Sequence, residues 1–402
     1  MKIIWGLLFY HLASWQILAV EVKGLAQVNY VLADRQTSWL DNGTGILAYS
    51  KNGLNVQQAL VELSDSFASG LSYSLVANYY QTGEQNLGIS QAQIAYKPLS
   101  NSRVRWRTRA GFFYPKMSLE NLDTGWLSPF TYTQSAINSW LGEELRAPAL
   151  EFTVYSPGRA RNSAYSWQLT AAAFKANDPL GTLLSWRGFA LHDRQSLHND
   201  KVPFAAYPSV VQQDRIFHPS YVEPFHELDG RLGFYLGAHL DYFSQTNLRY
   251  YYYDNQADPL AVNYQRLYGW RTKFHSIAFQ HKFSQSTRII SQWLSGSTTM
   301  GERVVDVDFN AWYLLFSHKV VQHRLSIRFD QFKVKEQDLV VWDANNSDGY
   351  AYTFAWRYNM DKHWQLGLEH HINHNNAENR AALSLPQEMS QQQSMAVIQY
   401  RW

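Results

Sequence analysis

The feature that most constrains this 402-residue chain is a period of two that returns in one segment after another. In YAYTFAWRY, Tyr350, Tyr352, Phe354, Trp356 and Tyr358 fall on one face, and Ala351, Thr353, Ala355 and Arg357 on the other. LGFYLGAHLDYF sets Leu232, Phe234, Leu236, Ala238, Leu240 and Tyr242 against Gly233, Tyr235, Gly237, His239 and Asp241. RLSIRFD sets Leu325, Ile327 and Phe329 against Arg324, Ser326, Arg328 and Asp330. Side chains alternate across a strand, so each segment reads as a β-strand with one face for lipid and one for water.

Composition narrows the choice. A mean hydropathy of −0.37 and 17% charged residues do not suit a helical membrane protein, which needs repeated apolar runs of about 18 residues or more. No such run follows the N-terminus. The 26 Tyr, 21 Phe and 15 Trp suit the aromatic girdles of a membrane barrel. With no cysteine there is no disulfide scaffold, iron–sulfur site or thiolate zinc site. A formal charge of +2 leaves no electrostatic footprint for nucleic acid.

The first residues, MKIIWGLLFYHLASWQILAVEVKGLAQ, place Lys2 before an apolar stretch from Ile3 to Val20. The pattern predicts an export signal over 1–26, cut after Ala19 or after Ala26, followed by a single domain over 27–402. An uncleaved anchor helix is the alternative, and both readings export the chain.

The links between strands sort into two lengths. Short ones fall at 67–70, 98–102, 156–162, 244–246, 284–286, 321–323 and 361–363. Longer ones alternate with them at about 33–53, 81–86, 115–146, 176–230, 255–267, 297–306, 334–348 and 376–392. GTLLSWRGFALHD (181–193) would make a seventeenth strand, but its Gly188 and crowded polar residues read better as a short helix within a long loop. Sixteen strands follow, an even number that brings both chain ends to one side. Lipid tolerates no open sheet edge, so the expected fold is all-β: an antiparallel up-and-down transmembrane barrel. A barrel of that size encloses water.

The chain ends AVIQYRW, with Ala396, Ile398, Tyr400 and Trp402 alternating toward lipid. Tyr400 and Trp402 resemble the C-terminal signal read by the barrel-assembly machinery, with Trp in place of the usual Phe. On these residues the chain resembles the sixteen-stranded porins of Gram-negative outer membranes. The resemblance implies short periplasmic turns, long external loops, an outer-membrane location, a homotrimer, and a channel for passive diffusion of small polar solutes. The stretch from AYKPL to RAGFFYPK is also similar to phosphate-selective porins, although no lysine cluster accompanies it.

NSRVRWRTRAGFFYPK puts Arg103, Arg105, Arg107 and Arg109 at alternate positions, with Val104, Trp106, Thr108 and Ala110 between them. A charge at the lipid midplane costs roughly 2–4 kcal/mol, so the arginines are expected to face the lumen. Arg103, at the turn, reads as a rim charge. Arg105, Arg107 and Arg109 form a ladder on which small anions could step between weak sites. The competing reading pairs them with acids across the barrel. The loop after the fifth strand, about 115–146, carries Glu120, Asp123, Glu143 and Glu144. By resemblance it folds into the lumen as a constriction and sets these acids against the ladder.

Other clusters carry less. His192, Asp193, His198, His218, His226 and Asp229 lie in the long 176–230 loop at spacings that match no metal-ligand pattern. Alternation splits His370 from His371, and His374 lies near a strand end. DANNSDG (343–349) departs from a calcium loop by placing Asp348 where Gly is needed and by lacking the closing Glu. No metal or cofactor is expected. No G-x-S-x-G or other nucleophile motif is present, so the expectation is a non-enzymatic channel. Two other readings stay open: a structural or adhesive barrel whose lumen is plugged by the long loop, and an outer-membrane hydrolase.

Overall fold

The computed structural model describes residues 20–34 and 36–402. The apolar leader expected as an export signal falls on residues 1–19, outside the described residues. Sixteen strands form one closed barrel: β1 (Glu21–Ala33), β2 (Gly53–Ser66), β3 (Leu71–Tyr80), β4 (Leu87–Tyr96), β5 (Arg105–Phe113), β6 (Ala147–Ser156), β7 (Tyr165–Phe174), β8 (Gly233–Tyr242), β9 (Thr246–Asp254), β10 (Arg271–Lys282), β11 (Thr287–Met300), β12 (Val305–Val320), β13 (His323–Glu336), β14 (Ser347–Asn359), β15 (Trp364–Ala377) and β16 (Glu388–Arg401). Each is antiparallel to the next in chain order, and β16 returns to β1. The count of sixteen matches the sequence reading, whereas the alternation of short and long links fails at 81–86 and 301–304, which are no longer than the turns 97–104 and 67–70.

The seam is made by a chain end. Leu25 stands opposite Arg401 and Val28 opposite Ile398, and Gly24 and Trp402 exchange backbone hydrogen bonds of 3.2 Å in both directions. The Trp402 indole lies on Gly24, where a Cβ would fall 1.9 Å from the ring. Tyr400 packs against Trp364 at 4.7 Å between ring centroids, extending an aromatic cluster along the seam. A cut after Ala26 would remove Gly24 and six residues of β1, whereas a cut after Ala19 leaves the strand whole. Gly24→Val is expected to displace the ring and weaken the last pairing. The barrel should then lose its compact, heat-modifiable band on gels at a lower temperature than the wild type.

The outer wall follows the alternation. Tyr350, Tyr352 and Phe354 are 41–43% exposed, while Ala351 and Thr353 between them are fully buried. Strands β3–β9 are nine or ten residues long. Strands β10–β16 run to between 12 and 16. The link expected at 297–306 accordingly shrinks to 301–304. In this taller part the polarity reverses: Asp308 and Asn310 point outward, and Val305, Val307 and Phe309 point inward and are buried. Period two persists there, but it no longer marks a lipid-facing strand.

The interior departs from a water-filled bore. Loop 114–146 folds inward and carries α1 (Ala136–Glu144), every residue of which is buried. Ser135 caps it by accepting from the Asn138 N–H at 3.2 Å. Loop 175–232 adds α2 (Thr182–Trp186), at the place expected for a loop helix. Trp140 of α1 meets Phe274, Phe309 and Phe189 at 5.4, 5.3 and 6.4 Å. Inward residues of β10–β12, among them Ala278, Ile290, Leu294 and Ala311, join the same apolar cluster. The hydrophobic core of this protein sits inside the barrel, against one wall.

Candidate lumen pathway

The short turns and both ends of the barrel sheet share one rim, the periplasmic one in an outer-membrane barrel. Arg105, Arg107 and Arg109 climb from that rim on the inner face of β5, while Trp106 and Ala110 are exposed on its outer face. Their partners differ. Arg109 holds Glu151 through two hydrogen bonds of 2.7 and 2.8 Å, and the Tyr235 hydroxyl donates to the same carboxylate at 2.6 Å. Arg107 donates to the Gln168 amide at 2.7 Å and lies over the Tyr155 ring. Arg105 donates to the Ser102 carbonyl at 3.0 Å. Pairing with an acid thus describes Arg109, whereas Arg105 and Arg107 keep their charge for the lumen.

Across from the ladder stands Arg249 of β9, held by the carbonyls of Lys116 and Ser118 at 3.1 and 2.6 Å. Arg109, Lys116 and Arg249 line a vestibule of about 390 Å³ that also includes Glu62, Asp123, Tyr114 and Trp126. The Tyr114 and Trp126 rings stack 3.9 Å apart.

Of the four loop acids only Asp123 shares the vestibule with Arg109, and all four have partners outside the ladder. Glu120 is fully buried and pairs at 2.8 Å with Arg328 of β13, which also binds Asp330 at 2.7 Å. Asp123 pairs at 2.6 Å with Arg401 of β16. Glu143 takes both forks of Arg187, at 2.8 and 2.5 Å, and His192 approaches it at 3.2 Å. Glu144 accepts from the Trp140 indole at 2.5 Å and from the Gly181 and Leu183 N–H groups at the start of α2. These acids fasten the two lumen loops to each other and to the far wall. Each carboxylate is held by a nearer cation or by indole and main-chain donors, not by Arg105, Arg107 or Arg109.

Arg328 is the centre of that attachment. Its guanidinium also donates to the Thr133 and Gln134 carbonyls at 2.6 and 2.8 Å. Beside it Glu369 accepts from the Tyr132 and Thr133 N–H groups at 2.6 and 2.8 Å, and Arg357 donates to the Thr131 carbonyl at 2.6 Å. Sequence reading missed these residues, along with Arg249, Arg288 and Arg401. Their signal was available as inward parity on strands already recognised, but only the four consecutive alternations of β5 stood out.

Opposite the apolar wall the lumen is lined by amides. Gln27 and Asn29 of β1, Gln57 and Gln58 of β2, and Gln393 and Gln399 of β16 all face inward and are buried. Gln57 donates to Asp193 of the long loop. Polar atoms of Gln27, Asn29, Gln58, Gln134 and Gln393 have no protein partner. Buried polar groups are rarely left unsatisfied, so this seam between loop and wall is where water belongs. Beside Gln58, Tyr132, Gln134 and Gln399 lies a cavity of only about 10 Å³.

The histidines of the long loop are dispersed. His192 is at Glu143, His198 meets Phe112 edge to face, His218 packs against Trp186, and His226 is 3.4 Å from Glu223. Burial lowers His218 to about 4. Asp178, Glu227 and Asp229 converge near the external rim, and burial raises Asp178 to about 6. Their oxygens accept from main-chain N–H groups of Leu228, Ala176, Gly230 and Arg231, which accounts for the cluster as a folded turn. His370 and His374 lie on the outer face of β15 and His371 on the inner, as alternation requires.

No family model matches the chain, and no curated protein matches it in sequence. Solved structures do. The outer-membrane channel DcaP of Acinetobacter baumannii is similar with a TM-score of 0.58 at 9% identity, covering 95% of this chain and 97% of that one. OmpT of Vibrio cholerae lacking loop L8, an outer-membrane protein, gives 0.55 at 8%, over 96% and 100%. The anion-selective porin of Comamonas acidovorans gives 0.52 at 11%, over 96% and 99%. The chain therefore has the sixteen-stranded barrel fold of bacterial outer-membrane porins, with an apolar outer belt to match.

Proposed function

We propose that this protein is a porin-type, non-enzymatic channel of the bacterial outer membrane that passes small polar solutes and prefers anions. The observation that carries this reading is the asymmetry of the lumen. One wall is apolar and packed against the loops, and the other is lined by amides, with a vestibule lined by Arg109, Lys116 and Arg249 elsewhere in the lumen.

Arg105 and Arg107, free of carboxylates, raise the local anion concentration, and Lys116 and Arg249 extend the same field across the mouth. The porin fold of Comamonas acidovorans with stated anion selectivity supports the preference. A homotrimer is proposed on the same footing, since the Vibrio cholerae barrel has been solved in a trimer form. We also propose export with cleavage after Ala19, which spares β1, and insertion by the barrel-assembly machinery through Tyr400 and Trp402.

The plugged-barrel reading is favoured by one observation, the tightness of the seam, and it differs in predicting no conduction. Replacing Arg105 and Arg107 together with Ala is expected to move the reversal potential in a salt gradient toward zero by half or more. Unchanged reversal potentials would show that the ladder does not filter ions.

A further inference from the structure

Three lumen arginines have no acid to answer them. Arg288 of β11 and Arg324 of β13 both lie on the Phe130 ring of the inner loop, at 5.7 and 5.3 Å, and Arg357 of β14 lies on Tyr132 at 4.0 Å. Beyond these rings Arg324 donates to the Ser317 hydroxyl at 3.0 Å, and Arg357 donates to Thr131. The charged groups acting on Arg324 are two further cations, Arg288 and Arg357. The carboxylates near Arg357 are committed elsewhere: Asp123 to Arg401, and Glu369 to the Tyr132 and Thr133 N–H groups. Other lumen arginines, such as Arg109 and Arg328, hold carboxylates at 2.7–2.8 Å.

Arg324 and Arg357 face a cavity of about 300 Å³ at the periplasmic rim, lined also by Asn359, Lys362, Gln365 and the Asp123–Arg401 pair. The one other acid there, Asp361, accepts from the His363 and Trp364 N–H groups of its own turn. The Arg357 Nε is buried without a protein partner. Gathering like charges in a partly desolvated cleft is unfavourable unless a counter-charge joins them. Guanidinium forks match the oxygens of phosphate and carboxylate groups.

We propose that Arg324 and Arg357, backed by Arg288, bind a small dianionic oxyanion, a phosphoryl group or a dicarboxylate, and that the bound anion clamps loop residues 129–132 to the β11–β14 wall. The site is separate from the Arg105–Arg107 ladder and lies on another wall. By removing the repulsion between Arg324 and Arg357, the ligand strengthens the grip of Arg357 on Thr131 and of Arg324 on Phe130. Ligand concentration on the periplasmic side then sets how firmly the constriction is held.

The test is thermal unfolding of the folded protein in detergent, titrated at pH 8 with inorganic phosphate, with succinate, and with chloride at matched ionic strength. The unfolding midpoint is expected to rise saturably with phosphate, with succinate or with both, and not with chloride; which dianion acts identifies the ligand group. Arg324→Gln, and separately Arg288→Gln, should weaken the dianion affinity tenfold or more. Arg159→Gln, an equal charge loss on an exposed turn, should leave it unchanged. An equal shift with chloride, or full dianion affinity in both Arg324→Gln and Arg288→Gln, overturns the proposal. Because no bilayer is involved, failure to conduct would bear on the channel reading alone.

Discussion

Arg328→Ala is expected to release the inner loop from the barrel wall while leaving the barrel closed. The substitution strands Glu120 and Asp330, both buried, without the cation they share, and removes donors from the Thr133 and Gln134 carbonyls. Breaking one side of a buried ion pair costs about 3–5 kcal/mol, because the remaining charge keeps its desolvation penalty. Here that cost falls on loop attachment. The sixteen-strand ladder does not run through Arg328's side chain. Limited proteolysis of folded protein should therefore cut within 114–146 in the variant and not in the wild type. Conductance should rise severalfold, since the loop closes the seam beside Gln58 and Gln399. An uncut loop with unchanged conductance would show that Arg328 does not hold the constriction.

Trp140→Ala should have the larger effect on stability. Trp140 is completely buried between α1 and the inward rings of β10 and β12, and its indole N–H donates to Glu144. Truncating such a side chain costs roughly 3–5 kcal/mol through lost contacts and the cavity left behind. Glu144 would also lose a donor inside an apolar cluster. The expected result is a lowered thermal midpoint with retained β-sheet circular dichroism. An ordinary porin lumen filled with water would leave this position indifferent to truncation, so an unchanged midpoint would contradict the packed interior.

Both variants probe the interior, about which the sequence said less than it did about the outer wall. The outer wall was legible because lipid applies one rule to every strand. Tyr350, Tyr352, Phe354, Trp356 and Tyr358 could be assigned to one face from their spacing alone, and the strand count followed from the links. The inner wall obeys no such rule, since either water or a folded loop can sit against it. Phe274, Phe309 and Ala311 point inward where α1 packs against their wall, and nothing local announces a helix 130 or more residues away in sequence.

The loop acids failed as a group for the same reason. Position after the fifth strand singled out the loop at about 115–146, yet it carried no information about partners. Glu120 finds Arg328, 208 positions away, and Asp123 finds Arg401, 278 positions away. Links 297–306 and 334–348 were drawn too long because their outward residues, such as Asp306 and Lys335, are polar. Above the membrane belt a strand keeps its period and exchanges its faces. The amide wall was visible in part, for Gln391, Gln393 and Gln399 alternate with Gln392, Ser394 and Ile398, but amides do not say whether they meet water or a loop.

The central claim is that the seam conducts. Purified wild-type protein, folded and heat-modifiable on gels, should be added to a planar lipid bilayer under a tenfold salt gradient. The account predicts discrete conductance steps, smaller than those of Arg328→Ala, with a reversal potential of the sign that marks anion preference. Folded protein that inserts without producing steps, or a reversal potential of the opposite sign, would contradict it.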